Sequence, residues 1–333
     1  MSKLSPKCPE VDPNPGQICS IENSPYGFEP TLWIGIVYSA IFGVLALTHL
    51  GLMAYHRWFP KFMFIAVLGA CGELAGWIGR AYSAPHPFDR NAYLDQIICL
   101  ILSPAFISAV NYVAFQNVMD VYGHKWSRIP RKWYVLAFVA GDICSLVVQA
   151  VGGALSAEAE TETAANTGKA IMIAGVSIQV AVTAPFMALY IDYNFRRLLE
   201  WRKKGLACHE RPYPRVEVFN AAIGISTLFI LTRCLYRIVE MADGWKGYLA
   251  TTEAYFAILD ALMIVFAIGI FIPIHPGFYL PRVLEPTSSD EEKAASTADS
   301  ILEKPQRRGE ATATASSSLH GASLTSSTDG TRA

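Results

Sequence analysis

The sequence predicts an all-helical polytopic membrane protein with seven transmembrane helices, its N-terminus outside and its C-terminus in the cytosol. Three observations carry that prediction. Of 333 residues, 52% are hydrophobic and 17% charged, with a mean hydropathy of +0.30; a soluble domain carries about 25% charged residues. Seven apolar stretches each reach the length that crosses a ~30 Å hydrocarbon core, about 20 helical residues. Finally, the loops segregate Lys and Arg by side.

The stretches run Leu32–Tyr55, Phe62–Tyr82, Leu94–Val121, Trp133–Leu155, Ala170–Ile191, Val216–Met241 and Ala254–Ile274. None alternates as a barrel strand would, so all seven read as helices. Loops one–two, three–four and five–six hold Arg57, Lys61, Lys125, Arg128, Arg131, Lys132, Arg196, Arg197, Arg202, Lys203, Lys204, Arg211 and Arg215. The alternate loops hold only Arg90, Lys169 and Lys246. Thirteen basic residues against three orient the chain. Trp33, Trp58, Tyr82, Trp133 and Tyr190 sit at the ends as an interfacial belt would. No apolar run precedes Leu32, so the first span is expected to target the chain rather than a cleaved signal peptide.

Three regions follow: an outer tail (1–30), the membrane domain (31–280) and a cytosolic tail (281–333). The last is rich in Ser, Thr and Ala from Glu285 onward and is expected to be disordered. Its run Ser288–Glu292 is either a solvated tail or a phosphorylation target. Of seven cysteines, Cys8 and Cys19 share the outer tail and are a candidate disulfide, while Cys208 faces a reducing cytosol. The outer loops hold no Asn-x-Ser/Thr acceptor.

A charge at mid-bilayer costs about 2.5–3.5 kcal/mol on insertion scales. The first and fifth stretches carry none in their interiors; the second, fourth, sixth and seventh carry several. Helical spacing puts Gly69, Glu73, Gly76 and Arg80 on one face of the second, where the glycines alone read as tight packing. Asp142, Ser145, Gln149 and Gly153 line one stripe of the fourth. Arg233, Arg237 and Glu240 share a face of the sixth; Glu253 and Asp260 share one of the seventh. With alternating chain direction these groups, Asp95 among them, converge in the outer half. They form either an ion-pair network or a polar vestibule for a ligand's head group. The expected substrate-binding residues are therefore Glu73, Arg80, Asp142, Gln149, Arg233, Arg237, Glu240, Glu253 and Asp260. Pro104 and Pro185 each free a carbonyl one turn back, as a static kink or a gating bend. His49, Asn111 and Gln179 read as structural.

The sequence lacks a Gly-x-x-x-x-Gly-Lys-Ser/Thr loop, a Gly-x-Ser-x-Gly elbow and a retinal-type Lys, and its seven histidines are scattered. No enzyme, cofactor or metal site is expected. A net charge of −1 gives no reason to expect a nucleic-acid partner.

The block Arg233-x-x-Tyr236-Arg237-x-x-Glu240, with Gly244, Gly247, Glu253, Asp260 and His275-Pro276-Gly277, resembles the fungal lipid-translocating exporter family. So do Glu73-x-x-Gly76-x-x-x-Arg80, Ser103-Pro104-Ala105-Phe106 with Asn111-Tyr112, and Asp142-x-x-Ser145-x-x-x-Gln149-x-x-Gly152-Gly153. Family members often carry a small residue at position 111. The resemblance spans about Tyr26 to Gly277. It implies fungal origin, a plasma-membrane or vacuolar location, and transport or flipping of amphipathic lipids such as sphingoid bases or toxic cationic amphiphiles. An ammonium head would seek Glu73, Asp142 or Asp260, and movement would be downhill or proton-coupled. A seven-helix receptor or sensor for an amphipathic ligand stands as the alternative. Membrane lipids are the expected partners, with an anionic-lipid contact through the 192–215 loop. Charge placement also hints at a 3+1+3 parallel repeat.

Overall fold

A computed structural model describes residues 24, 26, 30–56, 59–157, 159, 161–203, 213–243 and 248–281. Cys8, Cys19, Trp58, Lys204, Cys208, Arg211, the Ser288–Glu292 run and the C-terminal tail lie outside the described residues. All regular structure among the described residues is helical. Among the described residues, six helices are long and apolar enough to cross a membrane. They are α1 (Leu32–Tyr55), α2 (Pro60–Ser83), α3 (Arg90–Tyr122), α4 (Arg131–Ala157), α5 (Glu162–Lys203) and α6 (Pro214–Asp243). A 3₁₀ turn, His124–Trp126, joins α3 to α4.

The boundaries follow local chemistry. Proline opens α2 and α6 at the first helical position, where its missing N–H costs nothing. Asp89 caps α3, its side chain accepting from the Asn91 N–H at 2.9 Å. Gly123, at φ 102°, stops α3 in a conformation that L side chains rarely adopt. Helix α5 is far longer than the expected Ala170–Ile191, because its polar flanks keep helical hydrogen bonds beyond the apolar segment.

The seventh apolar stretch departs most from expectation. Instead of one regular helix it forms α7 (Tyr248–Thr251), α8 (Glu253–Tyr255), a π-helix (Phe256–Leu262) and α9 (Met263–Gly269). Turns then lead to α10 (Pro276–Tyr279). π segments are rare and concentrate at functional sites. Here the Tyr38 hydroxyl of α1 donates to the Ala257 carbonyl inside the π turn at 2.7 Å.

Neighbours in sequence pack together from α1 to α6; α6 packs on α9, α9 reaches α1, and α3 crosses to α6. Two apolar cores result. One surrounds Phe42, Trp77, Leu100, Ile230 and Phe256; the other surrounds Phe62, Tyr112, Phe115, Phe186, Phe219 and Phe271. The outer surface exposes Val44, Leu47, Leu136, Val147 and Leu228, as lipid contact requires. The chain is an integral membrane protein.

Glycines set two of the seams. A Cβ at Gly69, Gly72, Gly76 or Gly79 would lie 2.6–3.0 Å from Ile107, Ser103, Leu100 or Asp95, so this face of α2 lies flat on α3. On α4, a Cβ at Gly152 would lie 2.6 Å from the Met172 nitrogen of α5, whereas Gly153 beside it has open space.

Candidate functional site

Seven charged residues of α2, α6, α8 and the π-helix gather into one buried cluster: Glu73, Arg80, Arg233, Arg237, Glu240, Glu253 and Asp260. Asp260, within the π segment, is its centre and is 1% exposed. It accepts from Arg237 through both oxygens, Nε to Oδ1 at 2.7 Å and Nη2 to Oδ2 at 2.9 Å. Arg233 Nε lies 2.9 Å from the same Oδ1, within ion-pair distance but without hydrogen-bond alignment. Arg237 also donates to Glu240 at 3.1 Å. Glu73 lies in the electrostatic field of Arg233, Asp260 and Arg237, and its Oε1 has no hydrogen-bond partner.

A second ion pair adjoins the first. Arg80 donates to Glu253 Oε1, which also accepts from the Thr31 N–H at 3.0 Å, so the pair pins the start of α1 to α2 and α8. Phe256 lies under both guanidinium groups, 4.9 Å from Arg80 and 5.0 Å from Arg237. Tyr26 closes the end, donating to Gln96 at 2.6 Å. Burial pushes its phenol above the ordinary tyrosine range, against the opposing pull of Ser83 and Arg80.

Pro104 is wired into this cluster. Proline has no N–H to offer the carbonyl four residues back, and Arg233 Nη2 donates to that Leu100 carbonyl at 2.7 Å. Ser103 satisfies the neighbouring Cys99 carbonyl at 2.6 Å. Pro104 thus leaves an acceptor on α3 that holds Arg233.

Seven of the nine expected residues therefore meet: Glu73, Arg80, Arg233, Arg237, Glu240, Glu253 and Asp260. Asp142 and Gln149 do not. The stripe that joined them on α4 splits. Gln149 donates to Ser145 at 2.7 Å and to Gln179 of α5 at 3.4 Å, and Ser145 donates to the Gly175 carbonyl at 2.7 Å. These bonds tie α4 to α5. Asp142 faces Tyr112 of α3 instead, and Tyr112 interacts with Thr183 of α5. Asp95 lies against Gly79 and Cys99 rather than pairing with Arg80, which Glu253 takes. In the sequence, Tyr112 stands out only as part of the Asn111-Tyr112 motif, and Thr183 and the Leu100 carbonyl not at all, because a lone hydroxyl or a backbone oxygen leaves no hydropathy signal. The proline was the available clue to Leu100.

The opposite end carries the basic loops. Arg128 binds Asp192 bidentately at 2.8 and 2.9 Å, and Arg196 reaches the same carboxylate at 2.9 Å. The Asp192 hydrogen bond raises the Arg128 guanidinium above its ordinary range. Arg197 is 3% exposed rather than open to head groups. It donates to Asn194 and Glu217 at 2.8 and 3.0 Å, with Tyr122 and Trp201 against its guanidinium at 4.1 and 4.8 Å. A cavity of about 210 Å³ lies beside it, lined by Tyr190, Asn194, Trp201 and Asn220 among others. Of the residues expected to touch anionic lipid, Arg197 is thus withdrawn into the protein by its partners.

A family model described as RTA1 like protein matches residues 66–283. The sphingoid long-chain base transporter RSB1 of Saccharomyces cerevisiae is 36% identical over 290 residues, covering 77% of this chain and 74% of that protein. Protoporphyrin uptake protein 1 of the same yeast is 30% identical, covering 63% of this chain and 69% of its own length. Protein RTA1 is 28% identical, covering 68% and 70%. No solved structure matches the chain.

Proposed function

The chain belongs to the RTA1-like family, and from that premise we propose that it moves amphipathic lipids, sphingoid bases or related cationic amphiphiles, across a fungal plasma or vacuolar membrane. The observation that carries this reading is a charged cluster buried inside a bundle whose outer surface is apolar. Such groups are costly at this depth and mark transport pathways. Asp260 is engaged by two arginines, so the Glu73 carboxyl, with an oxygen still free, is the acid that receives an ammonium head. The acyl chain stays among the lipid-facing side chains, and only the head crosses. The expected substrate-binding set then divides. Glu73 binds; Arg80, Arg233, Arg237, Glu240, Glu253 and Asp260 hold the cluster open; Gln149 fastens α4 to α5.

The seventh span is the α8–π–α9 run, and the N-terminus faces outward, as the basic residues of the three inner loops support. The relative named as a sphingoid base transporter supports the substrate class. The test is flux of a labelled sphingoid base in liposomes containing the purified protein. Flux no greater than in protein-free liposomes overturns the proposal.

A further inference from the structure

We propose that Asp142, with the hydroxyls of Tyr112 and Thr183, forms a proton-binding site in the core of the bundle, apart from the arginine-bearing cluster. Three helices contribute one residue each: α3 Tyr112, α4 Asp142 and α5 Thr183. All three are buried, at 0%, 3% and 1% exposure. Both Asp142 carboxyl oxygens, the Tyr112 hydroxyl and the Thr183 hydroxyl lack a hydrogen-bond partner. Yet Tyr112 lies within electrostatic reach of both other residues. Buried polar atoms are almost always satisfied, so these four must share hydrogens among themselves, and a proton on the carboxyl is the occupant that adds a donor.

The surroundings say which occupant. Among the described residues, the titratable groups facing Asp142 are Tyr112 from α3 and Cys234 from α6; no Arg, Lys or His stands against it. A carboxylate here would have no counterion, and that is the costly form of a buried acid. A proton removes the charge. The two hydroxyls suit exchange because each both donates and accepts, and each can rotate. When Asp142 is ionised, Tyr112 donates to it. When Asp142 carries the proton, it donates to Tyr112, which turns toward Thr183. The proton comes from water and returns to water; no other bond changes. Asp260 is the contrasting case, an acid that faces two arginines. The fold thus holds one buried acid locked in an ion pair and another free to titrate.

What the proton is coupled to rests on the transport reading; the site itself does not. The experiment is infrared difference spectroscopy of the full-length protein in lipid nanodiscs across a pH series, comparing wild type with Asp142→Asn. The expected result is a protonated-carboxyl stretch that titrates in wild type and is absent in Asp142→Asn. Tyr112→Phe, which keeps the ring packing, should retain the band at a shifted frequency, and it serves if the asparagine variant does not fold. Identical carboxyl spectra in wild type and Asp142→Asn at every pH overturn the proposal, as does a Tyr112→Phe spectrum with no shift. Added sphingosine should perturb the band if the site and transport are linked. A titrating band indifferent to sphingosine, together with absent sphingosine flux, leaves the proton site standing and overturns the transport reading instead.

Discussion

Replacing Asp260 with Asn removes the charge at the centre of the cluster while keeping the shape. The carboxylate holds Arg237 through hydrogen bonds of 2.7 and 2.9 Å and lies 2.9 Å from Arg233 Nε. Asparagine keeps one acceptor and turns an NH₂ group toward guanidinium donors. Two arginines then lose their shared counterion at a site 1% exposed. Stranding one partner of a buried pair costs about 3–5 kcal/mol. Arg237 keeps Glu240 and Arg233 keeps the Leu100 carbonyl, which places the cost near the low end, about 3 kcal/mol. At about 2–4 °C per kcal/mol for a domain of this size, Tm should fall by about 6–12 °C. Size-exclusion chromatography of heated, detergent-solubilised protein reads that shift. Arg237→Gln combined with Asp260→Asn should cost less than the sum of the single changes, because neither leaves the other's charge stranded. An Asp260→Asn protein melting within about 2 °C of wild type, or strict additivity in the double variant, refutes the argument.

Three further expectations follow from other contacts. Pro104→Ala restores an N–H that competes with Arg233 for the Leu100 carbonyl; sphingoid base flux should fall several-fold while expression holds, and unchanged flux would detach Pro104 from the cluster. Gly175→Ala places a Cβ 2.5 Å from Gln149 Cγ and 2.9 Å from its backbone nitrogen, so it should destabilise by about 1–3 kcal/mol, whereas Gly153→Ala, with open space, should be neutral or stabilising in the same melting assay. Burial holds the His275 ring near a pKa of about 4, with His56 and His49 adding to the effect, and Nδ1 accepts from the Gly277 N–H at 3.0 Å. The unfolded chain, at the ordinary 6.5, binds the proton first. The stabilising contribution is therefore whole above pH 6.5 and is lost as pH falls toward 4, at about 1.4 kcal/mol per unit. Comparing Tm against pH for wild type and His275→Asn isolates this slope, and parallel curves would contradict it.

What the sequence determined by itself is everything that depends on order along one chain. Apolar run length located α1 to α6, within about four residues at each end except for the polar flanks of α5, because about 20 helical residues are needed to cross the hydrocarbon and backbone hydrogen bonds must close within each span. The costly charges were visible for the same reason: Glu73, Arg233 and Asp260 stand out against apolar neighbours. Helical spacing also showed which residues share a face, and the glycines of α2 were correctly expected to be packing surface. The tertiary structure decided partnership. Which acid meets which base depends on each helix's rotation and depth, and these are set by contacts distant in sequence. Asp142 and Gln149 share a stripe on α4, yet α3 and α5 divide them, so one faces Tyr112 and the other Gln179. Arg233 could have paired with Glu73, Asp142 or Asp260; it lies against Asp260 of the π turn, and Pro104 leaves it a second anchor at Leu100. No periodic pattern announces a π turn, since its extra residue is tolerated only where neighbouring helices hold it in place, here through Tyr38 of α1 on Ala257 and through Arg80 of α2 and Arg237 of α6 on Phe256.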